Sequence, residues 1–178
     1  SYDTNKFTNF IVNNFDWTSK DIFFDSGINS KVLGNFKNIN YEVKNIDQYK
    51  DDPTSEFFAA LGVLSEINLQ KNKGDYQHSL TPKMLFRFSP GSMRKEDSGS
   101  RLTPNKAFNI KRLDNMNNFE TGLSSTIGFD YNVSSDFQEF DFSVAQVINE
   151  EANSKKSDIS SLNEKLSDFV GSASMKFN

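Results

Sequence analysis

Between Phe119 and Val133 the chain reads FETGLSSTIGFDYNV. Every second residue from Phe119 gives one set: Phe119, Thr121, Leu123, Ser125, Ile127, Phe129, Tyr131 and Val133. The residues between them are Glu120, Gly122, Ser124, Thr126, Gly128, Asp130 and Asn132. A two-residue period of this length marks a strand with two chemically different faces. The period recurs along the chain and predicts strands over 7–18, 27–44, 57–71, 76–89, 119–133, 138–150 and 168–178. Within 27–44, Ile28, Val32 and Phe36 share a face while Ile39, Tyr41 and Val43 take the other, a phase switch that predicts a bulge. Two residues resist the pattern. Gln146 falls on the apolar side of the sixth strand, and Pro82 cannot donate to a ladder; a local bulge would accommodate either, and the pattern itself shows none.

The connections sort by length. Segments 19–26, 72–75 and 133–137 are short, whereas 45–56, 90–118 and 151–167 are long, polar and charged, and the two kinds alternate. An up-and-down meander then has its tight turns at one end and its long loops at the other. Outer-membrane barrels carry this asymmetry, with an apolar face on lipid and a polar face on a wet interior. Several of the runs exceed the usual strand length of about 5–6 residues in soluble sheets. Aromatic residues gather near the strand ends, with Tyr76, Tyr131, Phe137 and Phe140 by the turns and Phe57, Phe86, Phe88 and Phe119 by the loops, as two interfacial girdles would. The predicted fold is therefore all-β, an antiparallel up-and-down meander of about seven strands. Seven strands do not close a membrane barrel, and open edges are not tolerated in hydrocarbon. Residues 1–178 are accordingly expected to be one incomplete segment of a large transmembrane β-barrel wall. The rival reading from the same pattern is a soluble antiparallel sandwich or barrel, a binding module whose apolar faces form one core.

Composition narrows the function classes. The 178 residues carry a net charge of −4 and a pI near 5.1, which argues against a nucleic-acid binder. There is no cysteine and a single histidine, His78, expected near an interface, so neither thiolate chemistry nor a histidine-based metal or catalytic site is expected. No apolar run is long enough for a transmembrane helix. The chain begins with Ser1 and shows no signal peptide, so it is expected to be mature or cut from something larger. GSMRKEDSGS lacks the Lys-Ser/Thr pair of a phosphate loop, and no carboxylate pair stands at a hydrolytic spacing. No enzyme activity and no cofactor are expected.

Specific runs carry a resemblance. LTPKMLFRFSP (80–90), SGSR (98–101), FNIKRLDNMNNFETGLSS (108–125) and FDFSVAQ (140–146) resemble, in order, the C-terminal barrel region of the LptD family. These are the outer-membrane lipopolysaccharide-assembly, or organic solvent tolerance, proteins. The resembling block covers residues 80–150 and departs at Ala145, where the family pattern has Gly; the cysteines of many members are missing too. The resemblance implies a wall segment of a lipopolysaccharide translocon in the outer membrane, which inserts lipopolysaccharide into the outer leaflet. It also implies an LptE-like lipoprotein plug in the lumen, a periplasmic lipopolysaccharide bridge reached through an N-terminal domain absent here, and contact with membrane lipid. A porin-like barrel for small solutes is the alternative within the transport class.

Two groups of charges stand out. Pairing the fourth and fifth strands with Phe88 near Phe119 sets Arg87 opposite Glu120 on the lumen side, Lys83 opposite Ser124 and Gln77 opposite Asp130. The loop from Pro90 to Asn118 carries Arg94, Lys95, Arg101, Lys106, Lys111 and Arg112. Of these, Arg94, Lys95, Arg101, Lys111 and Arg112 are candidates for contact with lipopolysaccharide phosphates or with the plug, since guanidinium binds phosphate bidentately. The plainer and favoured reading is a solvated loop balanced by Glu96, Asp97 and Asp114, and a third is a loop folded into the lumen on the plug, where Met93, Leu102, Phe108, Ile110 and Leu113 would pack. Residues 150–166 read as an external loop with a helical turn around Leu162 and Leu166.

Overall fold

A computed structural model describes residues 6–96 and 99–177; Asp97 and Ser98, which belong to the charge and motif readings of the long loop, and Asn178 lie outside the described residues. The chain forms one antiparallel sheet. Its strands are β1 (Phe7–Thr18), β2 (Ile22–Phe23), β3 (Ile28–Lys44), β4 (Thr54–Ile67), β5 (Leu69–Lys73), β6 (Tyr76–Ser89), β7 (Gly122–Ser134), β8 (Gln138–Asn149) and β9 (Val170–Phe177). Among the described residues one short helix, α1 (Pro104–Ala107), lies in the longest loop. The order across the sheet is β1-β3-β4-β6-β7-β8-β9, with β2 beside β3 and β5 beside β6. Every neighbour follows its predecessor in the chain, and β1 and β9 stand at opposite edges. The fold is an open up-and-down meander.

Nine strand segments amount to seven strands, two of them interrupted. β4 and β5 continue along β6 in one register, from Leu61↔Phe88 to Lys73↔Tyr76, and the ladder lapses at Ile67–Asn68, opposite Pro82 and Thr81. Pro82 has no N–H to give its neighbour, so one bond is missing and no residue is inserted. A gap in the ladder, and not a bulge, accommodates it. On the other side β1 reaches Thr18↔Leu33, and β2 resumes at Ile22↔Ser30, so three residues face two. That is a bulge, and Ser19 closes it by donating its N–H to the Val32 carbonyl and accepting the Val32 N–H on its hydroxyl.

The phase switch in β3 has another cause than the one expected. β3 runs without a break from Ile28↔Ile67 to Tyr41↔Thr54, so no bulge is present. The faces stay continuous and the chemistry on them inverts. From Ile28 to Phe36 the outer face carries Ile28, Val32 and Phe36, with Ser30 between them bonded to Ser65; beyond it come Asn38, Asn40 and Glu42. Over the same stretch Ile39, Tyr41 and Val43 are buried on the inner face against Phe10, Val12, Ile46, Tyr49 and Phe58. Gln146 sits on the outer face and donates its amide to the Ser167 carbonyl. There the pairing steps from Ala145↔Val170 to Ile148↔Leu166, so three residues face two, a local bulge.

The fifth predicted strand begins three residues late. β7 opens at Gly122, whose φ of +109° turns the chain, and Phe119 points inward, buried and stacked on Phe58 at 5.5 Å. The register follows this start. Phe88 faces Leu123, Arg87 faces Ser124, Lys83 faces Gly128 and Gln77 faces Ser134, a slip of four from the predicted pairing. An even slip leaves the faces intact. Arg87 is 1% exposed on the inner face, while Phe86 and Phe88 are half exposed on the outer one. The predicted opposition of Arg87 and Glu120 across the ladder is therefore corrected, and the hairpin over the long loop stands.

The turns 24–27, 74–75 and 135–137 lie at one end, and the loops 45–53, 90–121 and 150–169 at the other. Lys73↔Tyr76 closes a two-residue hairpin with Gly74 at φ +59°, the position where a tight turn needs glycine. Gly128 is required for closer packing. A Cβ there would lie 2.1 Å from the Val144 carbonyl oxygen and 2.9 Å from the Ala145 Cα, both backbone atoms that cannot swing aside. Gly128→Ala is expected to cost about 1–3 kcal/mol or more by forcing β7 and β8 apart. A thermal midpoint unchanged from wild type would contradict this packing.

Candidate functional site: a charged cluster under the folded loops

The two faces of the sheet meet different surroundings. The outer face leaves large apolar side chains open across its width, among them Phe15, Trp17, Phe36, Phe57, Leu61, Met84, Phe86, Phe88, Ile127, Met175 and Phe177. The inner face is covered at the loop end by the two longest loops. Leu102 and Ala107 of the first loop and Leu162 of the second pack on Ala145 and Val147 of β8. Ile110 and Phe119 pack on Ala60 of β4. Thr103 caps α1, Pro104 follows at its first turn, and Thr126 of β7 donates its hydroxyl to the Ala107 carbonyl at 2.9 Å. Residues 150–166 form successive turns on this same face, with no helix at Leu162.

Beneath the loops lies a buried charged cluster. Arg112 donates Nε and Nη2 to the two carboxylate oxygens of Glu120 at 2.9 and 2.7 Å, and Nη2 also to Ser124 Oγ at 2.7 Å. Lys156 donates to Glu120 Oε1 at 3.0 Å and to Asn149 Oδ1 at 2.9 Å. Asn149 in turn donates its amide to the carbonyls of Leu162 and Glu164, holding the second loop. Arg87 donates Nε to the Ile110 carbonyl at 2.8 Å and Nη2 to the Glu120 carbonyl at 2.6 Å. It thus bonds the backbone of Glu120, and the carboxylate belongs to Arg112 and Lys156.

The electrostatics follow from the geometry. Burial alone would raise the Glu120 carboxyl, but Arg112, Arg87 and Lys156 outweigh it and hold the group far below the usual carboxylate range. Burial pushes the Lys156 ammonium down, with Arg112 and Arg87 adding to this and Glu120 opposing it. At the surface Lys106 and Ser100 hold Asp114 below its ordinary value. A depressed carboxyl gives stability that is present above the unfolded value, about pH 4.3 for Glu, and is lost as pH falls through the folded one. Loop docking is therefore expected to be independent of pH from about 6 to 8 and to weaken progressively below about pH 4. Hydrogen exchange of residues 104–120 against pH measures it, and exchange that is slowest at acid pH after correction for intrinsic rates would contradict the sign.

The remaining predicted loop cations are dispersed. Arg94 ion-pairs with Glu56, donates to the Asn117 carbonyl and lies over the Tyr49 and Tyr41 rings at 4.7 and 5.4 Å. Lys111 pairs with Asp16 of β1 at 2.6 Å, tying the loop to the sheet edge. Lys95 and Arg101 are exposed, and Arg101 lines an open cleft with Asp158, Asp168 and Phe169. Arg112 is 2% exposed and is spent on Glu120. Ser124, Thr126 and Asn149 complete the cluster from the polar face of β7 and the end of β8, and Lys156 joins it from a loop that carries no period. His78 lies near the turn end with its Nδ1 2.9 Å from the Tyr131 hydroxyl.

Compared with protein families and with curated proteins, the chain matches no family model and no curated sequence.

Proposed function

We propose that this chain is a section of the wall of a large outer-membrane β-barrel, and that the parent protein is a lipopolysaccharide translocon of the LptD kind. The membrane part rests on one observation: an outer face that leaves large apolar side chains open from Phe15 on β1 to Phe177 on β9, opposite a face that the chain's own loops cover at the loop end. A soluble sandwich would use the apolar face as its core. From Phe88 to Tyr76, twelve residues along β6, the outer face spans about 40 Å at about 3.3 Å per residue, or about 30 Å once tilted by about 40°. Barrels carry an apolar band about 25 Å tall flanked by aromatic girdles. Tyr76 and Phe137 at the turns and Phe57 and Phe88 at the loops stand exposed at such heights, while Phe119 has left the outer rim for the interior.

Lipopolysaccharide as the cargo rests on the family resemblance in 80–150. In this reading the turn end faces the periplasm and the loop end the cell exterior. An LptE-like plug would meet the inner face below the loops, where Asn132, Asp141 and Ser174 form an open polar row. Depleting the parent protein in its own cells tests the reading. Loss of newly made lipopolysaccharide from the outer leaflet is the expected result. Unchanged surface lipopolysaccharide with impaired uptake of small solutes would favour a porin-like barrel, and recovery of the parent in the soluble fraction would favour the sandwich.

A further inference from the structure

The buried cluster is out of electrical balance. Among the described residues, Arg112 and Lys156 ion-pair with one carboxylate, Glu120, and Arg87 bonds only carbonyl oxygens. Three cations on one anion leave two positive charges in a site where all four side chains are at least nine-tenths buried. Uncompensated charge in such surroundings is strongly unfavourable. The second observation is an unused donor: Arg87 Nη1 is buried and has no hydrogen-bond partner. The third is space. A cavity of about 10 Å³ is lined by Arg87, Arg112, Glu120, Lys37, Ile110 and Phe119, with Lys111 and its neighbours closing the rest. That is room for one water or one monatomic ion.

We propose that this cavity is a binding site for a single halide ion, chloride under ordinary conditions, held by Arg87 and the cations around it. A water would satisfy Nη1 and leave the charge as it is, whereas a halide answers both. Phosphate and sulfate exceed the space. Glu120 lines the cavity as well, but both its carboxylate oxygens are taken by Arg112 and Lys156. The ion removes one of the two excess charges at the joint that holds the loops on the sheet, so loop docking depends on the ion. This inference does not rest on the proposed function, and its failure would leave that reading intact.

The test uses the full-length protein in the detergent or buffer that keeps it folded. Thermal unfolding is measured in sodium chloride, sodium bromide and sodium gluconate at equal concentrations. A higher midpoint in both halides, saturating with concentration, is expected, and Arg87→Lys should weaken the halide dependence at least tenfold. Crystals grown with bromide should show an anomalous peak within hydrogen-bonding reach of Arg87 Nη1. Equal midpoints in the three salts, or a peak without anomalous signal that refines as water, would overturn the proposal. If Arg87→Lys fails to fold, the wild-type salt comparison and the bromide peak still decide.

Discussion

Replacing Glu120 with alanine is expected to cost about 3–5 kcal/mol and to release both long loops from the sheet. Removing one partner of a buried ion pair strands the other charge, and here it strands two, Arg112 and Lys156, with Arg87 beside them. Glu120→Gln keeps the shape and loses the charge, so it should fall between wild type and alanine. Limited proteolysis reads the effect directly. In the native fold Arg112 and Lys156 are buried and closed to trypsin; in the variant, cleavage after both should precede cleavage within the strands. Protection of both sites as in wild type would mean that apolar packing of Leu102, Ile110 and Leu162 holds the loops without the cluster.

The second large effect lies on the outer face. Ile127→Arg places a charge at the middle of β7 on the open apolar side and is expected to cost about 2–4 kcal/mol of barrel stability. The comparison needs an inner-face position that is still wet. Ser124 looked suitable from the alternation, but it is 3% exposed under Arg112. Ser172 on β9 is exposed on the inner face and should accept Arg at little cost. Equal damage from Ile127→Arg and Ser172→Arg, measured as folded barrel in membranes, would remove the distinction between the faces.

These two predictions separate what the sequence discloses from what it conceals. The strands were legible because a pleated strand shows alternate residues to two media, and Phe86, Arg87 and Phe88 record that directly. The alternation of short and long connections gave the meander for the same reason, since antiparallel neighbours return to one end at every second turn. Register was less legible. It was anchored on Phe119, which continues the alternation on paper, yet Gly122 takes the chain out of the strand before it gets there. The bulge in β3 failed through a related ambiguity: a change in which face is apolar and a shift of the backbone by one residue write the same pattern. Here the outer face turns polar past Phe36 while the loop residues Ile46 and Tyr49 cover Ile39, Tyr41 and Val43.

The charged cluster was the least legible part. Arg87 and Glu120 were singled out as a cross-strand pair, and they do meet, but through the Glu120 carbonyl. In the sequence Arg112 is one loop cation among several open to an outside ligand; in the fold it is the main partner of Glu120. Lys156 lies 36 residues from Glu120 in a polar stretch that carries no period, and Asn149 ends a strand whose pattern names its face and not its partner. Only the apolar residues within the 90–118 loop hinted at packing, and Met93, Leu102 and Ile110 are buried. Tertiary folding of a loop onto a sheet depends on long-range shape, and local patterning does not encode it.

What touches the outer face decides whether this sheet is a lipid-facing wall, and spin-label accessibility measures it most directly. Single cysteines for labelling are placed at Leu61, Val63, Met84 and Ile127 on the outer face and at Ser143, Ser172 and Ser174 on the inner face of the parent protein in membranes. The outer set is predicted to collide readily with oxygen and poorly with a water-soluble nickel chelate, and the inner set to show the reverse. Outer positions that are closed to both reagents, as inside a protein core, or open to the chelate, as in water, would contradict a lipid-facing wall.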